Sequence, residues 1–341
     1  MNLGIMQVEE NLSSPFIAKL PFAKNSLFYA PMEGITDEAY RTFILDNYPD
    51  WDYVATDFLR ISSVGNYSDK HMISHLGNNT YNTPKQRKTI YQILTSEQAL
   101  TEYHVQRLNQ LGIKWLDLNL GCPSKTVCKN KGGSFLLSDL EILKDIIKKI
   151  RSNFDAFFSC KIRVGYRDDS NFINVLKLLE DEGVQAITIH ARTRDQLYKG
   201  TANWDYVKQA VKEVKIPIIG NGDIWTVDDI HRYYDYTNCH SVMLARSAMK
   251  TPWLAKYYKS NQTIDLKVRS IETEKFFREY NKIVQTLPID EKYKSRRLKA
   301  VSRYSFEDFP DSDLFKKRFL LSQDPNQMLD ILGELRNTYS Q

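Results

Sequence analysis

Eight short apolar runs, each followed by a segment with helical spacing, recur along this 341-residue chain and constrain its fold more than any other feature. The runs are Leu27–Pro31, Tyr53–Phe58, Thr89–Leu94, Trp115–Leu120, Phe157–Arg163, Ala186–His190, Ile216–Gly220 and Ser241–Ala245. Most are continuously apolar rather than alternating, the pattern of strands covered on both faces. Between them lie amphipathic segments, clearest at Glu97–Leu111 and Leu140–Ile150, with apolar residues three and four apart. Eight such units predict a closed (β/α)8 TIM barrel over residues 27–258. A doubly wound open sheet is the rival. It usually has fewer strands and an early glycine-rich dinucleotide turn, which this sequence lacks.

The strand signal stops near Ser260. Ser270–Leu287, Glu291–Phe306, Asp313–Leu321 and Asn326–Thr338 read as helices, with Pro288, Pro310 and Pro325 at their boundaries. The expectation is a small all-helical C-terminal domain over 259–341, leaving 1–26 as an N-terminal extension with no assigned role. Charge matters here. The whole chain carries a net +5, and Glu291–Arg303 alone holds six basic residues against one acid. Such a run is either a solvated helix face or a surface for nucleic acid, and the nearby Lys316-Lys317-Arg318 cluster favours the second reading.

Composition excludes several classes. A hydrophobic content of 42% supports a full core and rules out disorder. No window reaches the ~18 consecutive apolar residues of a membrane span. Glu9 and Glu10 interrupt the N-terminal stretch where a signal peptide needs an apolar run. The four cysteines form neither a disulfide framework nor the paired spacing of a zinc site. A cytoplasmic monomer with reduced thiols, no metal, no membrane contact and no obligatory protein partner is expected.

In a (β/α)8 barrel the chemistry sits at the C-terminal ends of the strands. Those ends are polar here: Pro31-Met32-Glu33, Gln92, Asn119 with Cys122, Lys161 with Arg163, His190, Asn221-Gly222-Asp223, and Ala245-Arg246. Each alone has a bland reading. Gln92 suits a satisfied core amide, His190 a structural histidine, Cys122 an inert buried thiol, and the Asn221-Gly222-Asp223 turn a tight strand exit. Lys161 is harder to dismiss, because a lysine inside a barrel strand must bury its ammonium or turn it to a ligand. One barrel mouth would bring all of them together.

The loops after strands seven and eight, with Gly220, Gly222 and Arg246, suit a phosphate. Lys161, Gln92 and Asn119 further along suit a flat, polar-edged ring, so FMN is the expected cofactor. Without a dinucleotide fingerprint, NADPH or NADH would be a transient reductant.

The motifs APMEG (30–34), DLNLGCPSKTV (117–127), CKIRVG (160–165), IHARTR (189–194) and NGDIW (221–225) resemble those of the tRNA-dihydrouridine synthases in order and spacing. The segment TDFLR ending at Arg60, with CPSKTV and NGDIW, is most similar to the C-type branch, which acts on uridine 16 of the tRNA D-loop. The resemblance implies FMN held by Pro31, Met32, Glu33, Gln92, Lys161, His190, Asn221, Gly222, Asp223, Ala245 and Arg246. It implies Cys122 as proton donor and Asn119 against the substrate uridine. Arg60, Tyr198, Arg297, Lys299, Tyr304 and Arg318 correspond to tRNA-contacting positions. Ala245 stands where the family usually has glycine, glycines are fewer after Cys122, where the loop carries Lys129-Asn130-Lys131, and the segment before Leu27 is longer than usual.

The implied mechanism is reduction of FMN by NADPH, flipping of a uridine out of the tRNA, hydride transfer to C6 and protonation at C5 by Cys122. A thiol with an ordinary pKa of ~8.5 is mostly protonated at neutral pH, as an acid must be. Three alternatives stand beside it: a flavin-dependent barrel oxidoreductase acting on a small molecule, an aldolase with Lys161 as Schiff-base nucleophile, and a catalytically silent RNA-binding factor.

Overall fold

The structure, a computed structural model, describes residues 20–340. Eight strands, β1 (Leu27–Tyr29), β2 (Tyr53–Arg60), β3 (Thr89–Leu94), β4 (Trp115–Leu120), β5 (Phe157–Arg163), β6 (Ala186–His190), β7 (Ile218–Asn221) and β8 (Ser241–Leu244), pair in parallel and in chain order into a closed barrel. The predicted barrel and its helical C-terminal segment are both present. The strand ends differ in detail. β1 stops at Tyr29, before Pro31, which has no N–H to donate to a ladder. β7 begins at Ile218, after Pro217, and reaches Asn221.

Alternation along each strand divides the core in two. Outward residues such as Tyr91, Ile93, Leu116 and Leu118 join the large apolar layer beneath the surrounding helices. Inward residues Phe28, Ala55, Ile90, Trp115, Phe157, Ala186, Ile219 and Met243 form a separate inner cluster. Its lower end is aromatic. The Phe22 ring stacks on Trp115 at 5.2 Å and meets Phe28 and Phe157 edge-on. Because these partners are among the first inward residues of their strands, Phe22 closes the N-terminal end of the barrel. Tyr53 fastens the plug by donating its hydroxyl hydrogen to the Pro21 carbonyl. Residues 20–26, which the sequence reading put in the extension, thus supply the barrel floor, while 1–19 lie outside the described residues.

Polar caps set several helix starts. Asp139 accepts the Ile142 N–H before Leu140–Asn153, and Thr226 with Asp229 makes a capping box before Val227–Thr237. The helix expected from Glu97 begins only at Thr101. Ser96 is bridged to Gly132 and the Leu100 N–H is bonded to Ser62, which keeps residues 96–100 out of helical geometry.

The C-terminal helices are Leu266–Thr286, Glu291–Val301, Ser312–Leu321 and Pro325–Tyr339. Phe276 and Tyr280 of the first pack on Tyr40 and Phe43 of the barrel helix Glu38–Asn47, with ring centroids 5.2–6.5 Å apart. The helix expected through Phe306 stops at Val301 and passes into a 3-10 turn at Ser302–Tyr304, which packs on the barrel helix Arg246–Lys250. That turn carries Arg303 and Tyr304 to the barrel mouth.

Candidate active site

The C-terminal end of the barrel opens into a cavity of about 490 Å³. The residues that the family resemblance assigns to a cofactor line it: Pro31, Met32 and Glu33 after β1, Gln92 on β3, Lys161 on β5, His190 on β6, Asn221, Gly222 and Asp223 at β7, Ala245 and Arg246 after β8. Gly220, also expected at the phosphate, does not, since it lies within β7 with its side-chain position against the Tyr233 ring. Cys122, Asn119, Tyr198 and Tyr304 share the same walls.

A chain of hydrogen bonds climbs through the barrel to this cavity. The Trp115 indole N–H donates to Ser159 Oγ (2.9 Å), and Ser159 donates to Asp117 Oδ1 (2.6 Å). Gln92 Nε2 donates to Asp117 Oδ2 (2.8 Å), and Asn119 Nδ2 donates to Gln92 Oε1 (2.8 Å). Asn119 Oδ1 then accepts the backbone N–H groups of Gly121 (3.0 Å) and Cys122 (2.5 Å). Strand register makes this possible, since Gln92 pairs with Asp117 and Asp117 with Ser159.

The Cys122 loop is held from other directions too. Ser134 donates its N–H and Oγ–H to the Cys122 carbonyl. Buried Arg163 donates Nε to the Gly121 carbonyl (2.8 Å) and Nη1 to the carbonyls of Thr193 and Leu197. Arg194 reaches the Pro123 carbonyl (3.2 Å). Cys122 as a whole is 8% exposed. Burial pushes its pKa up, so the thiol holds its proton across the neutral range. That suits an acid and not a nucleophile.

Lys161 Nζ lies 3.4 Å from Asn221 Oδ1, and burial with the neighbouring Arg163 lowers its pKa to about 8. Burial and the surrounding cations hold His190 well below its ordinary value, so its imidazole is neutral. At the other end, Asp223 accepts both Nη groups of Arg192 (3.1 and 2.6 Å), Arg246 Nη2 (2.8 Å) and the Ala202 N–H (2.7 Å). Burial would raise this carboxyl, but its arginine partners overcome that and lower it. Its oxygens are therefore occupied, and Asp223 aims Arg246, which also stacks between Trp225 (4.8 Å) and Tyr198 (5.5 Å). Gly222 has φ +123°, and a Cβ there would come within 3.0 Å of Ala202 and 3.2 Å of His190, so only glycine fits. Ala245 has φ −116°, an ordinary value for an L-residue, and its methyl packs against the inner cluster.

This donor set fits a cofactor with an anionic end and a carbonyl-rich ring. The guanidinium of Arg246 would suit the anionic end. Lys161 and the amide N–H groups of Gln92 and Asn119 would suit the ring.

The remaining sequence-derived positions fall outside the cavity. Arg60 borders a separate groove of about 440 Å³ with Tyr67, Lys129 and Lys131. Arg297 borders a cleft of about 330 Å³ between Gly34–Ile35 and the Glu291–Val301 helix, with Tyr293 and Arg296. Its guanidinium is committed to Asp37 and Tyr280. Lys299 is half-buried on the same helix. Arg318 lies on the outer surface, paired in parallel with Glu334 (2.5 and 2.8 Å). Sequence reasoning missed Asp117, Ser159 and Arg192 as site residues, and counted Arg303 only within the basic run. Asp117 and Ser159 carried a local signal: they lie two residues before Asn119 and Lys161 on their strands and so face the same way.

A closed parallel barrel with a cation-lined end, an amide-lined end and a protonated thiol at its C-terminal mouth defines a (β/α)8-barrel enzyme. Comparison with known proteins resolves it further. The chain belongs to the dihydrouridine synthase family, whose model, Dihydrouridine synthase (Dus), matches residues 28–337, and it is an oxidoreductase of that family. It is 28% identical over 325 residues to a tRNA-dihydrouridine(16) synthase of Neisseria meningitidis serogroup B, covering 92% of this chain and 96% of that one. It is 32% identical over 240 residues to the tRNA-dihydrouridine(16) synthase of Pseudomonas syringae pv. tomato, covering 68% and 74%. Among solved structures, a 2-naphthoyl-CoA reductase in complex with 2-naphthoyl-CoA superposes with a TM-score of 0.56 at 12% identity, covering 73% of this chain and 51% of that one, a likeness of fold alone. Among the described residues, no helix is long and apolar enough to cross a membrane, and no group of three or more potential ligands suits a metal.

Proposed function

We propose that this chain is an FMN-dependent enzyme that reduces the C5–C6 double bond of a tRNA D-loop uridine, at position 16, to 5,6-dihydrouridine. The observation that carries the reading is the placement of Cys122. Its protonated thiol shares one cavity with the cationic and amide groups suited to a flavin. When bound, FMN supplies the hydride, drawn from NADPH or NADH.

The chain's own residues do the rest. Arg246, aimed by Asp223, holds the phosphate. Lys161, Gln92 and the backbone from Pro31 to Glu33 would hold the ring, and neutral His190 would add no charge beside it. Asn119 orients the target base, and Cys122 holds the proton destined for C5 at its Sγ. A base reaches this depth only out of its stack, which costs a few kcal/mol. Contacts around the mouth offset that cost, and Arg303, Tyr304 and Tyr198 are placed to make them. Arg60 and Lys299 offer further positive charge to the tRNA backbone, and Arg318 does so only by opening its pair with Glu334. The four free, buried cysteines fit an enzyme kept in a reducing cytoplasm.

Mapping dihydrouridine by mass spectrometry, in tRNA from cells with and without this protein, tests the reading. Loss at position 16 alone is expected. Unchanged dihydrouridine at that position would overturn it.

A further inference from the structure

We infer that Asp117, a buried side chain outside the cavity wall, sets the hydrogen-bonding polarity of the amide-lined end, so that Gln92 and Asn119 meet a ligand with N–H groups and not carbonyl oxygens. The inference rests on the function proposed above for its ligands, but its geometry stands independently.

The chain of bonds has two unambiguous ends. An ionised carboxylate only accepts, and the backbone N–H groups of Gly121 and Cys122 only donate. Each amide between them has one consistent orientation. Gln92 gives Nε2–H to Asp117, which turns Oε1 toward Asn119; Asn119 gives Nδ2–H to Gln92, which turns Oδ1 toward Gly121 and Cys122. Both side-chain oxygens are engaged within the chain, while each amide nitrogen keeps one further N–H. Ser159 is fixed as well: it accepts the Trp115 N–H, and since an ionised Asp117 can only accept, its own hydrogen points to that carboxylate.

Both amides line the cavity, with the Lys161 ammonium on the neighbouring strand. That end therefore presents donors. The matching ligand is the acceptor edge of a pyrimidine-2,4-dione, whereas an amino group in place of a carbonyl would set donor against donor. Uracil has this edge, and so does the isoalloxazine ring of a flavin. The same bonds seat the Cys122 backbone, so Asp117 is a positioning residue for the acid too.

The charge state of Asp117 is part of the device. Burial raises its carboxyl to about 6, against the pull of Ser159, Gln92 and Lys161. These are the polar and charged groups facing it from β3 and β5. Protonation turns one carboxylate oxygen into a donor and weakens the acceptor that holds Gln92.

Two variants and two readouts test the inference. In Asp117→Asn the single amide oxygen still accepts from Gln92, while the Ser159 hydroxyl turns to accept from the new N–H. In Asp117→Leu that acceptor is gone. We expect Asp117→Leu to lose 10- to 100-fold, either in FMN affinity measured on apoprotein or in the single-turnover rate of uridine reduction at saturating tRNA. Asp117→Asn should stay within about fivefold in both. Loss in FMN affinity identifies the flavin as the ligand read by the donors, and loss in the uridine step alone identifies the base. Wild-type values of both in Asp117→Leu, or equal losses in the two variants that track a fall in melting temperature, overturn the inference. Should Asp117→Leu not fold, the side-chain ¹⁵N–H resonances of Gln92 and Asn119 decide. They should shift together between pH 5 and 7 in the wild-type protein and stay flat in Asp117→Asn; no coupled shift in the wild type refutes the idea. A wild-type protein that reduces no uridine would sink the proposed function, while the FMN and NMR readouts would still judge the role of Asp117.

Discussion

Arg297 reaches from the C-terminal helical segment to the barrel and places Nη1 2.6 Å from Asp37 Oδ2. Its Nη2 donates to the Tyr280 hydroxyl at 3.1 Å, and Asp37 also caps the barrel helix Glu38–Asn47 through the Tyr40 N–H. One guanidinium thus joins the helical segment, the barrel and a helix cap.

This pairing separates two basic residues that look alike in sequence. The charge of Arg297 is already balanced by Asp37, so bound RNA gains no new phosphate contact from it. Arg297→Ala should cost about 1 kcal/mol of stability and weaken tRNA binding without changing its salt dependence. Lys299→Ala should lower the slope of log affinity against log salt by about one. Filter-binding titrations between 50 and 200 mM salt, about the range over which such slopes are read, make the comparison. A reduced slope in Arg297→Ala would show that its ion pair opens on the RNA.

Cys122→Ala removes one sulfur from a loop that Arg163, Arg194, Ser134 and Asn119 continue to hold. FMN binding, oxidation of NADPH in the flavin half-reaction and tRNA affinity should therefore persist. Dihydrouridine formation in a single turnover should fall by about 10²–10⁴-fold, the usual contribution of a general acid. A near-normal rate would assign the proton to another group.

Lys161 links cofactor affinity to pH. Its ammonium is pushed down to about 8, so the cation is lost as pH rises through that value. FMN affinity measured on apoprotein should accordingly weaken between pH 7 and 9, a span set by that shift. Lys161→Ala should bind FMN weakly at every pH and show no such decline. A variant with normal flavin occupancy and normal NADPH oxidation would remove Lys161 from the cofactor site.

The floor of the barrel should be separable from its mouth. Phe22 is 5% exposed and packs on Trp115, Phe28 and Phe157. Phe22→Ala should destabilise the protein by about 3–5 kcal/mol, as aromatic deletions from a core do. Once folded, the variant should keep its FMN affinity. Chemical denaturation followed by tryptophan fluorescence measures the first effect, and flavin titration the second.

Local pattern determined a great deal in this chain. The eight strands were legible because parallel strands buried on both faces must be apolar almost throughout, a constraint written into each run by itself. The polar interruptions of those runs, Gln92, Asn119, Lys161, His190 and Asn221, were legible as a site because the barrel sends strand ends to one mouth. Tertiary structure decided which neighbours those side chains have. Period-two geometry puts Asp117 on the face of Asn119, but only the register of β3, β4 and β5 sets Gln92 on one side of it and Ser159 on the other. No local rule links Arg297 to Asp37, Phe22 to Trp115, or Arg192 to Asp223. These contacts join segments that meet only when the barrel closes and the helical segment docks. A side chain's type and direction follow from its own stretch of sequence, whereas its hydrogen-bond partner and charge state follow from what folding brings beside it.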